Sequence, residues 1–176
     1  MKKTILILFI LFLGYSFFTK GMANASELII PSDAIRMRVI PNSNSEYDQA
    51  IKEKVKEELQ TTTYELLKDT KGSEEAERII NANIALIDNR INDLLIKENY
   101  PLGYQIHFGQ NYFPEKNFKG VTYEEGYYNS LLVTLGEGKG DNWWCVLFPP
   151  MCLMEAEESE EVEYKFFIQE LIEKYL

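Results

Sequence analysis

Apart from its carboxylates, this chain has few side chains that could do chemistry. It has one histidine, His107, two cysteines, Cys145 and Cys152, and 28 aspartates and glutamates. His107 lies between Ile106 and Phe108 in an alternating run, so a structural role is expected of it rather than that of a general base. Two cysteines and one histidine cannot supply four soft ligands, so no metal site is expected. No G-x-S-x-G elbow, H-E-x-x-H pair or phosphate-binding loop occurs. Gly136-Glu137-Gly138-Lys139-Gly140 is rich in glycine but lacks the P-loop spacing. It joins two apparent strands where a P-loop would open a helix, so a hairpin turn is expected. Paired carboxylates would suit a glycosidase, yet among so many acids none is singled out. No catalytic residue and no cofactor is assigned, and the chain is not read as an enzyme.

The remaining chemistry is that of recognition. Arg36 and Arg38 alternate with Ile35, Met37 and Val39, which puts both guanidiniums on the outward face of a half-buried strand. Arginine forks bind carboxylates through two parallel hydrogen bonds, so this is either an anion-recognising or partner-recognising edge or a pair of exposed or salt-bridged charges. Tyr123, Tyr127, Tyr128, Trp143 and Trp144 suit either a sugar-binding surface or a core. Cys145 and Cys152 have Pro149-Pro150 between them to turn the chain back. One disulfide is expected if the chain is exported, with two buried thiols as the alternative.

Export is what the N-terminus predicts. Lys2-Lys3 precedes the charge-free apolar run 4–18, and Ala23-Asn24-Ala25 places small residues where a signal peptidase reads. The run is shorter than the ~20 residues that span a bilayer, so residues 1–25 are expected to be a cleaved secretory signal, with an uncleaved N-terminal anchor as the alternative. The net charge of the chain is −10. The signal takes away Lys2, Lys3 and Lys20 and no acid, so the mature part is more acidic still. Such a chain repels phosphate backbones, and nucleic acid is not an expected partner. The five glutamates of 155–161 read as a solvated linker or as an acidic contact for a basic partner.

These residues need a scaffold, and the 176 residues suit one domain. Residues 26–34 are expected as a loose leader and 35–176 as the single domain. Within it the pattern predicts a strand over 34–40, a helix over 46–67 capped by Ser45, and a second helix from Ser73 to Lys97. The stripe of the first is Tyr47, Ile51, Val55 and Leu59 with Ala50 beside it. That of the second is Ala76, Ile80, Ile84, Ile87, Ile91 and Leu94. Strands follow over 104–113 and 127–135, with a short strand or turn between them at 118–123. The run 143–148 reads as a strand in the middle of the core, and a last strand near 162–167 precedes a short terminal helix. The fold class is α+β, a mainly antiparallel sheet with a helical hairpin packed on one face.

Three segments together carry a resemblance. They are Arg36-Met37-Arg38-Val39-Ile40-Pro41-Asn42-Ser43-Asn44-Ser45, Gly120-Val121-Thr122, and Leu135-Gly136-Glu137-Gly138-Lys139-Gly140-Asp141-Asn142-Trp143-Trp144-Cys145-Val146-Leu147-Phe148-Pro149-Pro150. From Ile35 to Cys152 the chain resembles the stage II sporulation protein R family of endospore-forming bacteria. It departs from the family pattern at Met37, where another aliphatic residue is usual, at Asn44, where aspartate is usual, and in its short C-terminal segment. The resemblance implies a signalling protein exported across the forespore membrane into the septal intermembrane space. There it would act on the extracytoplasmic face of a membrane-integral protease, stage II sporulation protein GA, which processes the sigma-E precursor. No small-molecule substrate is implied. On this reading Arg36, Arg38, Asn42 and Trp143 are the candidate partner contacts. A secreted septal peptidoglycan hydrolase and a cell-wall-binding module are the competing readings.

Overall fold

In the computed structural model, the described residues are 28–153 and 161–175. The expected signal 1–25 and nearly all of the acidic run fall outside them. Ile35, Met37 and Val39 share one face of strand β2 (Ile35–Ile40), and all three are buried. Helix α1 (Glu46–Leu67) packs on that face. Ser45 caps α1 as expected, its hydroxyl accepting from the Asp48 N–H at 3.1 Å. The buried stripe of α1 is Ile51, Val55, Leu59, Thr63 and Leu67, whereas Tyr47 and Ala50, expected in it, are exposed. Thr63 is accommodated because its hydroxyl donates to the Leu59 carbonyl at 2.6 Å, leaving only its methyl to the core.

The second predicted helix is two helices, α2 (Ser73–Ala82) and α3 (Ile84–Lys97). Asn83 breaks it by turning its side-chain amide back to the Ile79 carbonyl at 2.8 Å, in competition with the helical ladder. Ala76, Ile80, Ile87, Ile91 and Leu95 still form one buried stripe against α1, with Ile84 and Leu94 half-buried beside them.

Strands β3 (Tyr104–Phe113), β6 (Gly126–Leu135) and β7 (Trp143–Phe148) join β2 in a four-stranded sheet of order β3-β6-β2-β7. The β3–β6 and β2–β7 pairs are antiparallel and the β2–β6 pair is parallel. The class is therefore the expected α+β, mostly antiparallel, with α1, α2 and α3 on one face. The tryptophan strand was expected at the centre but lies at an edge; β6 and β2 are the central strands. The glycine-rich segment 136–140 is not a hairpin turn either, because β2 lies between the strands it joins and the loop must cross the end of β2.

The second face of the sheet is covered rather than outward. A small sheet of β1 (Leu28–Ile29), β5 (Val121–Tyr123) and β4 (Lys116–Phe118) has the order β1-β5-β4. With helix α4 (Glu161–Tyr175) it encloses a second core containing Ile30, Val121, Val146, Met151 and Ile168. Two expectations are corrected here. Residues 28–34 are not a loose leader, since β1 pairs with β5 and Ile30 and Ala34 are buried. Residues 162–167 are helical, because α4 starts at Glu161 and continues through the segment expected as a strand.

Candidate functional site

The four residues expected to share a contact surface lie in three different places. Asn42 belongs to a polar seam between the turn after β2 and the loop before β7. Its amide donates to Asp48 at 2.9 Å, its side-chain oxygen accepts from the Glu137 N–H at 3.0 Å, and its carbonyl accepts from the Lys139 N–H at 3.1 Å. Asn44 does the same further along, accepting from the Asp141 N–H at 2.6 Å. Ser43 donates to Asp48 at 2.5 Å, and together with Asn42 it holds that carboxyl below its ordinary pKa. The loop glycines permit this contact. Gly136 has φ +55°, and a Cβ on Gly140 would lie 2.3 Å from the Ser43 carbonyl oxygen. Asn42 is therefore a structural stitch, and it joins two of the segments that carried the resemblance.

Trp143 lies on the helix face, opposite Val39 in the β2–β7 register, half-buried with the Lys56 ammonium 5.7 Å from its ring centre. Cys145 and Cys152 form the expected disulfide, with Cα atoms 5.6 Å apart. It ties β7 to the turn that follows at Met151–Leu153. Beside it is a cleft lined by Gln60, Thr63, Tyr64, Leu67, Leu147 and Pro150, whose volume of about 10 Å³ is room for one water. His107 is exposed on edge strand β3, its ring lying over the backbone of Gly109.

The two arginines are together, on the second face of the sheet. Arg36 was expected to face outward; its residue exposure is 0%. The small sheet and α4 cover that face, and aromatic rings surround the guanidinium. Its carbon lies 3.5 Å from the ring centre of Tyr128, 4.9 Å from Phe113 and 5.0 Å from Trp144. One nitrogen donates to the Glu124 carbonyl at 3.0 Å, an oxygen that the Tyr128 hydroxyl also donates to. Up to about 2 kcal/mol per desolvated ring contact is of the same order as the several kcal/mol that burying one ion costs. The cage can thus hold the cation without a carboxylate. Burial pulls the Arg36 pKa below its ordinary value, and the Arg38 charge adds to this while Tyr128 and Tyr123 oppose it. It stays protonated at neutral pH, as arginine does.

Arg38 is half-buried, with its guanidinium carbon 4.4 Å from the Phe113 ring centre. Burial lowers its pKa too. Exposed Lys116 puts its ammonium 5.2 Å from the Trp144 ring centre, and the Phe113 and Trp144 rings meet edge-on at 5.3 Å. Three cations therefore converge on one ring pair. The expectations above chose Trp143 over Trp144 and left Lys116 and Phe113 out. Strand parity was the available signal, since β3 puts Phe113 on the opposite face to Tyr104, and β7 pairs Trp144 with Arg38.

Among the described residues no three histidine, cysteine or acidic side chains are grouped to hold a metal ion, and no helix is long and apolar enough to cross a membrane. The family model described as Stage II sporulation protein R matches residues 31–158. The curated Stage II sporulation protein R of Bacillus subtilis (strain 168) is 33% identical over 171 residues, covering 93% of this chain and 76% of that protein. No solved structure matches the chain.

Proposed function

Because the chain belongs to the stage II sporulation protein R family, we propose that it is a secreted signalling ligand of endospore formation, not an enzyme. On this reading it activates the membrane-integral protease stage II sporulation protein GA from its extracytoplasmic side, and the protease then processes the sigma-E precursor. The family match carries the reading. It extends over the two segments that the Asn42 seam locks together, and the N-terminal pattern 1–25 supplies the export that such a ligand needs. Activation requires that the ligand bind the active state of the protease more tightly than the inactive one. The Arg38–Lys116 surface, whose cations form no ion pair among the described residues, is the contact we assign to that binding. It keeps Arg38 of the expected set and adds Lys116, since Arg36 is buried, Asn42 is internally bonded and Trp143 packs toward α1.

The test is reconstitution in a non-sporulating host. The chain, the candidate protease and a tagged sigma-E precursor are expressed together, and precursor cleavage is followed. Cleavage should require both the chain and its export signal. Cleavage without the chain, or none with all three folded and correctly placed, refutes the reading. Muropeptide release by the purified protein would point instead to a septal hydrolase, and retention on purified cell walls to a cell-wall-binding module.

A further inference from the structure

Among the described residues, the Phe113–Trp144 ring pair gathers cations and no acid. Arg36, Arg38 and Lys116 all stand within 5.2 Å of one of its two ring centres. Among the described residues none of the three forms an ion pair, although the chain as a whole carries a net charge of −10. Among the described residues, Nε and Nη1 of Arg36 and Nε of Arg38 are buried and find no acceptor. A buried donor left unpaired is costly, and two guanidiniums two residues apart on one strand face repel each other besides. An arriving anion offsets the repulsion and gives Arg38 an acceptor. It meets Arg38 first, because Arg38 is half-exposed while Arg36 is wholly buried behind it.

We propose that this cluster is a carboxylate-binding site. An aspartate or glutamate side chain of a protein partner binds the Arg38 fork, with Lys116 beside it and the fixed Arg36 charge behind it. The site selects a single carboxylate rather than a polyanion. At physiological ionic strength a charge is felt over roughly 8 Å, so one carboxylate senses these three cations. A nucleic acid or an anionic membrane instead meets the acidic remainder of the surface. The planar fork suits carboxylate geometry, and the Trp144 ring gives the carbon atoms next to the carboxylate an apolar wall. That the partner is a protein rests on the ligand reading above; that the ligand is a carboxylate does not.

The experiment uses the protein purified after export and follows the side-chain Nε–H signals of Arg36 and Arg38 by NMR. The probes are a blocked pentapeptide Thr-Val-Glu-Val-Thr and its counterpart with Gln in the middle. The Glu peptide should shift the Arg38 signal saturably and bind roughly tenfold or more tightly than the Gln peptide. Arg38→Gln should abolish the response with the melting temperature little changed, and Arg38→Lys should restore part of it. No saturable shift, equal shifts with both peptides, or a response that survives in Arg38→Gln would overturn the site. Retention on purified cell walls that is lost in Arg38→Gln would overturn the protein source, since wall peptides carry carboxylates too. The reconstitution assay with Arg38→Gln is read separately. Peptide binding lost while precursor cleavage persists refutes the assigned role in activation and leaves the carboxylate site standing.

Discussion

At the residue scale, Arg36 is the position where alternation was right about direction and wrong about exposure. The period of two puts it opposite Met37, and it is. Whether that face is wet depends on what packs over it. The cage predicts an ordering of variants. Arg36→Ala should destabilise the fold by about 2–4 kcal/mol, since it empties a large buried site. Arg36→Met should cost less, because a buried ion exchanged for an apolar chain of similar reach is often near neutral. Urea unfolding of the two variants checks this, and equal losses would rule the cage out as the reason. Asp48 gives a pH prediction. Donors from Ser43 and Asn42 favour its ionised form in the fold, so its folded pKa lies below its unfolded one. That stabilisation is complete above the ordinary carboxylate pKa of about 4 and fades as pH falls through the lower folded value. Melting temperatures of the protein and of Asp48→Asn should therefore converge at acid pH and separate above it.

At the element scale, the loop 136–142 decides how β7 meets the sheet. It passes from β6 over the end of β2 and is seated on the turn 41–45 by backbone bonds to Pro41 and Asn42. There is no room for a side chain where the two backbones touch. Gly140→Ala would drive its Cβ into the Ser43 carbonyl, which is backbone and cannot swing aside. A loss of about 1–3 kcal/mol is expected, together with faster amide exchange at Lys139 and Gly140; unchanged exchange would show that the seam is not rigid. The disulfide acts on the neighbouring element. Closing a loop of about eight residues restrains the unfolded chain by roughly 2.5 kcal/mol on the chain-entropy account. Cys145→Ser with Cys152→Ser should lower stability by about that much, and the urea midpoint measures it.

At the scale of the whole molecule, α4 closes the second core and touches the first. Ile168 is fully buried there, and Tyr175 packs edge-on against Phe148 while its carbonyl accepts from the Gly72 N–H at 2.9 Å. Ile168→Ala should cost about 2–5 kcal/mol, a large share of a domain's 5–15 kcal/mol. If calorimetry finds less than 1 kcal/mol, α4 does not hold the second core. The order and type of most elements were legible in the chain itself, because apolar period and cap chemistry are local. The 3.6-residue stripe marked α1, alternation marked β2, β3 and β6, and Ser45 marked a helix start. The disulfide was legible too, from two cysteines flanking a proline pair. The helix break at Asn83 and the helical character of 162–167 were not, because both depend on competing local bonds and on packing that a period does not encode. Strand order was beyond reach for a further reason: a strand carries the same pattern at an edge as at the centre, so nothing in Trp143–Phe148 reveals that β2 separates it from β6. The sequence by itself therefore determined most of the elements, the faces they turn to the main core, and the family. Only the tertiary structure decided that Arg36 is caged, that Asn42 is a stitch, and that Lys116, Phe113 and Trp144 stand with Arg38. Those meetings join residues about 75 to 110 positions apart, and only the packing of the two sheets and α4 brings them together.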